Sequence, residues 1–217
     1  MRMKARSIVT AGAAAGLLAC LGLAGCSYFA YLMAPEPAPK KVTAEFSDLK
    51  NTHVAIVIFT DDRTQYEYPY ARLTLGSVIR GEMNEHLKGV TVTDPAKVCK
   101  YQDEHADWTS MGKAELAAAL GVDYVLDITL VEYATREPGS IELFRGRITA
   151  QAALYRAGQS DSQGCAWRCD RLSVIYPKNN PIGVSADSDR QVRGAVEKEF
   201  ADALVKKFYD HKEPVEE

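Results

Sequence analysis

The run HVAIVIFT, from His53 to Thr60, constrains the fold of this chain most strongly. It is almost continuously apolar and rich in Val and Ile, which is typical of a strand buried on both faces of a sheet. After a polar loop, apolar residues recur at helical spacing from Ala71 to Lys88, and Gly89 follows as a helix stop. A buried strand followed by an amphipathic helix predicts an α/β fold.

The remaining chain continues this mixture of strands and helices. Alternating apolar and polar residues over 123–133 and 141–155 predict an antiparallel pair of strands with one face buried and the other exposed to solvent. Apolar residues at every fourth position over 189–209 predict a long C-terminal helix. Further strands are expected at 90–93 and 166–176, and further helices at 94–104 and 113–120. The fold class is therefore α/β (α+β), with a mixed β-sheet of about five strands and helices packed against it.

Composition indicates a globular domain that does not bind nucleic acid. The chain has 217 residues, of which 25% are charged and 47% apolar, and these fractions are typical of globular rather than disordered proteins. Loss of the three basic residues within the first 25 would take the formal net charge from −3 to −6. A mildly acidic domain argues against nucleic acid as a partner.

The amino terminus is typical of a secretory signal. Three basic residues lie within the first six, and no charged residue follows until Glu36. A basic start, a short apolar core and small residues before a cleavage site predict a signal peptide over 1–25. The alternative is an uncleaved transmembrane helix ending near residue 34, because the charge-free run is long enough to span a bilayer.

The residues Leu23-Ala24-Gly25-Cys26 resemble the lipobox of bacterial lipoproteins. In that family the cysteine thiol receives diacylglycerol, and the signal is cut before it. The resemblance implies that Cys26 is lipidated, that it begins the mature protein, and that the membrane is reached through this lipid anchor. Ser27 after the cysteine resembles the sorting signal for the outer membrane. The domain is then expected in the periplasm, as part of the cell envelope.

A tether is expected between the anchor and the domain. The segment APEPAPKK has proline at every second position, which predicts an extended stalk. We therefore divide the mature chain into a lipidated N-terminus and Pro-rich tether over 26–45, a single α/β domain over 46–212, and an acidic tail over 213–217.

Three cysteines remain besides Cys26: Cys99, Cys165 and Cys169. Metal sites and thioredoxin-like motifs favour two intervening residues, whereas Cys165 and Cys169 are separated by three. On one strand they would lie about 13 Å apart, too far for a direct bridge. The alternatives are unpaired thiols, one disulfide that involves Cys99 or a bent 165–169 pair, and a metal site, and we expect no metal.

No motif indicates an enzyme. A nucleophile elbow, a phosphate loop and a dinucleotide fingerprint are all missing from the sequence. Asp61 and Asp62 follow the first strand, at the end where α/β folds often bind ligands, but the neighbouring Arg63 favours an ordinary charged turn. His105 among acidic neighbours is a second weak candidate. We expect no catalytic residues, no cofactor and no enzymatic activity.

Three tyrosines cluster in the loop after the first strand. Tyr66, Tyr68 and Tyr70 lie in an otherwise polar segment, and tyrosine is frequent at protein interfaces because it offers contact area and a hydrogen-bonding tip. The loop therefore predicts a partner-binding surface, with Arg63 and Arg72 as charges at its rim. The alternative is a loop whose rings cover the domain's own core.

Several longer segments together resemble a known superfamily. They are VAIVIFTD, KAELAAALGVDYVLDITLVEY and ITAQAALYRAGQSDSQGCAWRCD, followed by the long C-terminal helix. Over roughly residues 50–210 the chain resembles the superfamily that includes the TolB amino-terminal domain, the curli-secretion lipoprotein CsgG and the activator LpoB. The resemblance implies an envelope lipoprotein that binds, activates or assembles other proteins and is not an enzyme.

The sequence thus predicts a membrane-anchored adaptor or activator in envelope assembly, with an envelope protein as its partner. One alternative is a subunit of an oligomeric secretion complex similar to CsgG. A less favoured alternative is a ligand-binding or hydrolytic periplasmic protein. The sequence leaves the oligomeric state open.

Overall fold

The computed structural model describes residues 39–183 and 188–214. The chain divides into two compact units, one formed by Met1–Lys40 with Lys212–Glu217 and the other by Lys41–His211. Two short strands cross these sequence boundaries: β1, Lys40–Val42, and β8, His211–Glu213. The predicted signal peptide, Cys26 and most of the tether lie outside the described residues.

The second unit contains a mixed sheet, as predicted. Its strands are β2 (His53–Phe59), β3 (Thr91–Val92), β4 (Tyr124–Arg136), β5 (Leu143–Arg156), β6 (Cys165–Tyr176) and β7 (Ile182–Gly183). The strand order is β3-β2-β4-β5-β6, and β7 pairs with the start of β5. Strand β2 is parallel to both neighbours, whereas β4, β5 and β6 form an antiparallel series.

Helices pack on both faces of the sheet. They are α1 (Asp62–Glu67), α2 (Ala71–His86), α3 (Pro95–Glu104), α4 (Lys113–Leu120), α5 (Asp161–Gly164) and α6 (Ser188–Val205). A short 3-10 turn, Lys206–Phe208, continues α6. The predicted C-terminal helix is therefore confirmed, and its last turn is the tighter 3-10 form.

Helix α1 lies where the sequence predicted only a loop. The side chain of Asp61 accepts a hydrogen bond from the main-chain N–H of Thr64 at 2.8 Å, which satisfies one of the unpaired donors of the first turn. Arg63 and Glu67, four residues apart, form an ion pair at 3.1 Å. Together, the cap and the pair stabilise a helix too short to show hydrophobic periodicity.

Strand β2 separates two apolar clusters, as its continuous hydrophobicity predicts. Val54, Ile56 and Ile58 point to the face covered by α2 and α6, and Ala55 and Val57 point to the face covered by α3 and α4. The largest fully buried side chains include Phe200, Leu75, Ile79, Met83 and Leu116. Burial of each such side chain contributes about 1.5–3 kcal/mol, so both faces stabilise the sheet.

Helix α6 crosses β5 at a glycine. A Cβ atom placed on Gly146 would lie 2.6 Å from Cβ of Val196, which real structures do not tolerate. Only the absence of a side chain at position 146 lets the helix approach the strand this closely, so Gly146 fixes the distance between α6 and the sheet.

None of the helices within the described ranges is long and apolar enough to cross a membrane.

We expect Gly146→Ala to lower the free energy of unfolding by about 1–3 kcal/mol, because the added methyl group overpacks the contact with Val196. Urea denaturation measures this loss. Gly194→Ala on α6 is the matched control, since a Cβ there meets no atom within 4 Å. That change should leave stability equal or raise it by up to about 1 kcal/mol. Wild-type stability in Gly146→Ala would contradict the close approach.

Candidate functional site

A cleft of about 810 Å³ opens where β2 ends. One wall is formed by Asp61 and α1, the opposite wall by the chain from Val131 to Gly139, and the start of α6 closes it. In α/β folds the carboxyl ends of parallel strands are the usual place for ligands, particularly where the strand order reverses. The chain passes from β2 to β3 on one side and then to β4 on the other, so the cleft lies at such a reversal.

A buried carboxylate under the cleft joins three elements. Glu197 of α6 is 4% exposed. Its Oε1 accepts hydrogen bonds from the hydroxyl of Tyr133 on β4 and from the hydroxyl of Thr74 on α2, both at 2.6 Å. Burial, followed by the nearby charge of Glu197, raises the pKa of Tyr133 well above its usual value. Tyr133 therefore stays protonated and donates.

Tyr68 lies directly above this network. Its ring packs edge-on against the ring of Tyr133, with centroids 4.9 Å apart. Its hydroxyl accepts from the main-chain N–H of Thr135 at 3.2 Å and lies 3.2 Å from Thr135 Oγ1. Thr135 Oγ1 donates in turn to Asp189 at 2.6 Å. These bonds fix one end of the cleft between α1, β4 and α6.

Arg193 lies beside Tyr68 with one donor unused. Its guanidinium carbon is 5.5 Å from the centroid of the Tyr68 ring, and Nη2 donates to Asp189. The Nε atom of Arg193 is buried and has no hydrogen-bond partner within 39–183 and 188–214. A buried donor of this kind costs stability unless an acceptor reaches it.

The β4 wall carries ion pairs of its own. Arg147 lies 2.7 Å from Glu132 and 3.7 Å from Glu137, and it donates to the main-chain oxygen of Arg136 at 3.1 Å. The guanidinium of Arg136 stacks on Phe144 at 4.6 Å. These charges therefore stabilise the wall and are not available as isolated charges.

The structure separates the three predicted tyrosines. Tyr66 is 88% exposed and Tyr70 is 70% exposed, whereas Tyr68 is partly buried against the core. One ring therefore covers the core and two face solvent, and binding of a partner by this segment stays a prediction.

The two predicted rim arginines also lie in different places. Arg63 is on α1 and lines the cleft. Arg72 has a side chain only 13% exposed and forms a 2.7 Å ion pair with Asp103 of α3. Arg72 therefore links two helices and does not line the cleft.

The candidate catalytic groups do not share a site. Asp61 lines the cleft, but its carboxylate caps α1, and the hydrogen bond from Thr64 lowers its pKa. His105 follows α3, where Nδ1 lies 2.9 Å from the main-chain oxygen of Tyr101 and the ring stacks on Tyr101. His105 is not among the residues that line the cleft.

The three described cysteines have free thiols that form no disulfide with one another. Cys99 is on α3, where burial raises the pKa of its thiol, and Cys165 and Cys169 are on β6. A disulfide among them stays one of the alternatives that the sequence left open.

Sequence reasoning missed Glu197 and the residues it organises. A signal was present, because Phe200 and Leu204 follow Glu197 at helical spacing, which places the carboxylate beside the apolar stripe of α6.

Sequence reasoning also missed a group on α2, where ligand atoms of Glu82, Glu85 and His86 lie within 4.8 Å of one another. His86 stacks on Tyr209 there, and exposed acidic groups are common, so this group indicates no metal site.

No protein-family model matches this sequence, and no curated protein matches it significantly. Among solved structures, the chain is similar to the PelC dodecamer from Paraburkholderia phytofirmans, at 11% identity over 80% of this chain and 99% of that chain, with a TM-score of 0.45. It is similar to the lipoprotein GNA1162 from Neisseria meningitidis, at 20% identity over 69% of this chain and 98% of that chain, with a TM-score of 0.40. It is also similar to TolB from Acinetobacter baumannii, at 14% identity over 78% of this chain and 31% of that chain, with a TM-score of 0.31.

Bacterial lipoproteins are thus among the solved structures that this chain resembles. Identities this low, with TM-scores below 0.5, establish neither a family nor a function. Membership of the superfamily of the TolB amino-terminal domain, CsgG and LpoB stays a prediction.

We expect Tyr133→Phe to lower the free energy of unfolding by about 1–3 kcal/mol at neutral pH, because buried Glu197 loses a donor. The deficit should shrink above about pH 10, where an unfolded tyrosine ionises. The raised pKa of Tyr133 keeps its hydroxyl protonated in the folded wild type, so wild type loses the stability linked to this group as pH rises, and the phenylalanine variant has no such contribution to lose. Urea denaturation at both pH values measures the difference.

Tyr66→Phe is the control, because its ring is solvent-exposed and its loss of a hydroxyl should change stability little at either pH. An equal deficit for Tyr133→Phe at neutral and alkaline pH would contradict the buried tyrosine–carboxylate bond.

Proposed function

We propose that this chain is a lipid-anchored cell-envelope protein whose α/β domain binds another envelope protein without catalysing a reaction. The binding surface, called here the tyrosine rim, consists of Tyr66, Tyr70 and Arg63. One observation carries the proposal: two tyrosines, 88% and 70% exposed, flank a third that is fixed in the structure.

Exposed tyrosines on a fixed backbone suit recognition of a protein. A tyrosine side chain has only two rotatable angles, so it supplies large contact area at a low entropy cost. Tyr68 is held by Tyr133 and Thr135, and this holds the segment between α1 and α2 in one place. The tyrosine rim is therefore ordered before a partner arrives, which reduces the cost of binding.

The state of the charges in the cleft supports binding over catalysis. Arg63, Arg147 and Arg193 each contact a carboxylate of the same cleft, and the carboxylate of Asp61 is used as a helix cap. A general base or nucleophile needs a group free to act on a substrate. The three arginines and Asp61 are instead each engaged with another group of the protein.

Side-chain contacts hold the end of the predicted tether against the folded domain. Glu45, the last residue of the predicted tether, contacts Lys207 at 2.8 Å and accepts from the indole N–H of Trp167 at 2.8 Å. The hydrogen bond from Lys207 is the main cause that lowers the pKa of Glu45. Lys41 pairs with Asp210 at 3.2 Å in the same region. A chain leaving the membrane would thus be secured to the 3-10 turn after α6 and to strand β6.

The anchor itself is tested by Cys26→Ser. We expect this change to abolish incorporation of a labelled fatty acid and to release the protein from the membrane fraction, because the thiol is the acylated atom in lipoproteins. Labelling is measured by in-gel fluorescence after growth with an alkyne fatty acid and coupling of the alkyne to a fluorescent azide. Cys20→Ser, in the other cysteine of the amino terminus, is the control and should keep the label. Fatty-acid incorporation in Cys26→Ser would refute the lipoprotein assignment.

The tyrosine rim is tested by substituting the two exposed tyrosines separately from the packed one. Tyr66→Ser with Tyr70→Ser should leave the Tm within a few degrees of wild type, because both rings face solvent. Tyr68→Ser should cost about 1–3 kcal/mol, because it removes a packed ring and its hydrogen bonds. Thermal unfolding distinguishes the two.

Partner contact is measured by site-specific photo-crosslinking in intact cells, with a photoreactive phenylalanine at position 66. A discrete crosslinked protein should form at 66 and not with the same residue at 175, an exposed position on β6. It should also be lost when Tyr70 is changed to Ser. Identical crosslinks at 66 and 175 would count against a tyrosine-rim partner.

A further inference from the structure

Three aromatic side chains are among the large hydrophobic ones exposed in the described ranges: Phe59, Tyr66 and Tyr70. All three lie between positions 59 and 70, from the last residue of β2 to the residue before α2. The face of an aromatic ring is apolar and also attracts cations, most often the guanidinium group of arginine. The charges around these rings therefore decide which partner they suit.

Helix α1 separates its paired charges from an unpaired one. Arg63 and Glu67 pair at 3.1 Å, and both line the cleft. Asp62 and Tyr66 are also four residues apart and thus neighbours on the helix surface, but neither lines the cleft. Asp62 is exposed, and its carboxylate has no hydrogen-bond or ion-pair partner within 39–183 and 188–214. An unpaired carboxylate therefore lies beside an exposed ring on the outer side of α1.

The end of α3 lies next to the end of β2, where α1 begins. The side-chain amide of Gln102, near the end of α3, donates to the main-chain oxygen of Ile58 at 3.0 Å. The ring of Phe59 lies 6.2 Å from that of Trp108, in the loop after α3. These two contacts hold α3 and its following loop beside the first of the exposed aromatic rings.

The same loop brings a second unpaired carboxylate to this end of the sheet. The 2.7 Å ion pair between Arg72 and Asp103 joins the start of α2, next to Tyr70, to the end of α3. Four residues further along, Asp107 is exposed, and its carboxylate has no partner in the part of the chain that the structure describes. The ends of β2 and α3 and the starts of α1 and α2 thus form one surface.

This surface is negatively charged. Residues 59–72 and 100–108 contain six carboxylates and three basic side chains, which gives a formal charge of −3 with histidine neutral. Each of the three bases pairs with a carboxylate of the same two segments, which leaves Asp61, Asp62 and Asp107 in excess. We call the exposed part the acidic aromatic surface, and it consists of Phe59, Asp62, Tyr66, Tyr70 and Asp107.

The arrangement of the carboxylates does not suit a metal ion or a lipid bilayer. A metal ion needs several ligand atoms that converge on one point. Among the residues described, ligand atoms of three side chains converge within 4.8 Å only on α2, and none of those side chains belongs to the acidic aromatic surface. Anionic lipid head groups would be repelled by the same negative charge. Separate cations spread over a protein surface fit separate carboxylates and rings.

We propose that the acidic aromatic surface binds a basic surface of the partner protein, one that exposes arginine or lysine side chains. Their cationic groups lie over the rings of Tyr66 and Tyr70 and pair with Asp62 and Asp107. This rests on the proposed function and specifies the chemistry of the partner. Opposite charges on the two surfaces also speed their encounter and disfavour acidic proteins as partners.

The charge of the partner is tested with a fluorescein-labelled peptide of ten arginines, and a peptide of ten glutamates is the comparison. Binding to the full-length lipidated protein in non-ionic detergent is measured by fluorescence anisotropy at low ionic strength. Decaarginine should bind and decaglutamate should not. Asp62→Asn with Asp107→Asn should weaken decaarginine binding by about threefold to tenfold, because two exposed ion pairs are lost. Tyr66→Ser with Tyr70→Ser should weaken it by about twofold to fivefold, because the rings are lost.

Asp48→Asn with Asp170→Asn is the matched control. Both side chains are exposed and lack a partner among the residues described, and the net charge changes by the same amount. This variant should bind decaarginine within about twofold of wild type, because a distant exposed charge is screened. Failure of decaarginine to bind, equal binding of decaglutamate, equal weakening in the two aspartate variants, or unchanged binding in the tyrosine variant would each overturn the proposal.

The photo-crosslink at position 66 separates this proposal from the proposed function. Asp62→Lys with Asp107→Lys should abolish the crosslink in intact cells, because a basic partner is then repelled. Asp48→Lys with Asp170→Lys should keep it. A crosslink that forms equally in both charge-reversal variants would overturn the basic partner while protein binding stands. Absence of any crosslink in the wild-type background would refute protein binding itself.

Discussion

The buried carboxylate of Glu197 is the interaction on which the cleft depends. It accepts two short hydrogen bonds on one oxygen, one from β4 and one from α2, and it belongs to α6. A buried charge without such donors would be strongly destabilising, so the three elements are held in one relative position. The close contact of Gly146 with Val196 places α6 near enough to the sheet for Glu197 to reach Tyr133.

Above this network, one short segment divides into fixed and exposed parts. Tyr68 is packed on Tyr133 and bonded to Thr135, while Tyr66 and Tyr70 project into solvent on either side of it. A fixed support and an exposed aromatic surface are two properties that a recognition site needs, because a surface that is ordered before binding loses less entropy when the partner binds.

Much of the fold was predictable from periodicity, and little of the cleft was. The continuous apolar run of β2, the alternation in β4 and β5 and the stripe of α6 gave the mixed sheet and the long helix. Helix α1 was missed because a side-chain cap and one ion pair stabilise it, not an apolar face. Tyr133 and Glu197 are separated by 64 residues, and Thr135 and Asp189 by 54, so no local pattern joins them. The tyrosine segment was recognised by composition, but only tertiary packing decides which ring is buried.

The most direct test of the central claim is the molar mass of the mature protein in mild detergent, measured by light scattering after purification from its own host. Wild type should elute with a companion protein, identified by mass spectrometry, at a mass above that of the chain alone. The variant with Tyr66→Ser and Tyr70→Ser should elute without that companion and remain folded. The same companion at the same mass in both proteins would contradict recognition through the tyrosine rim.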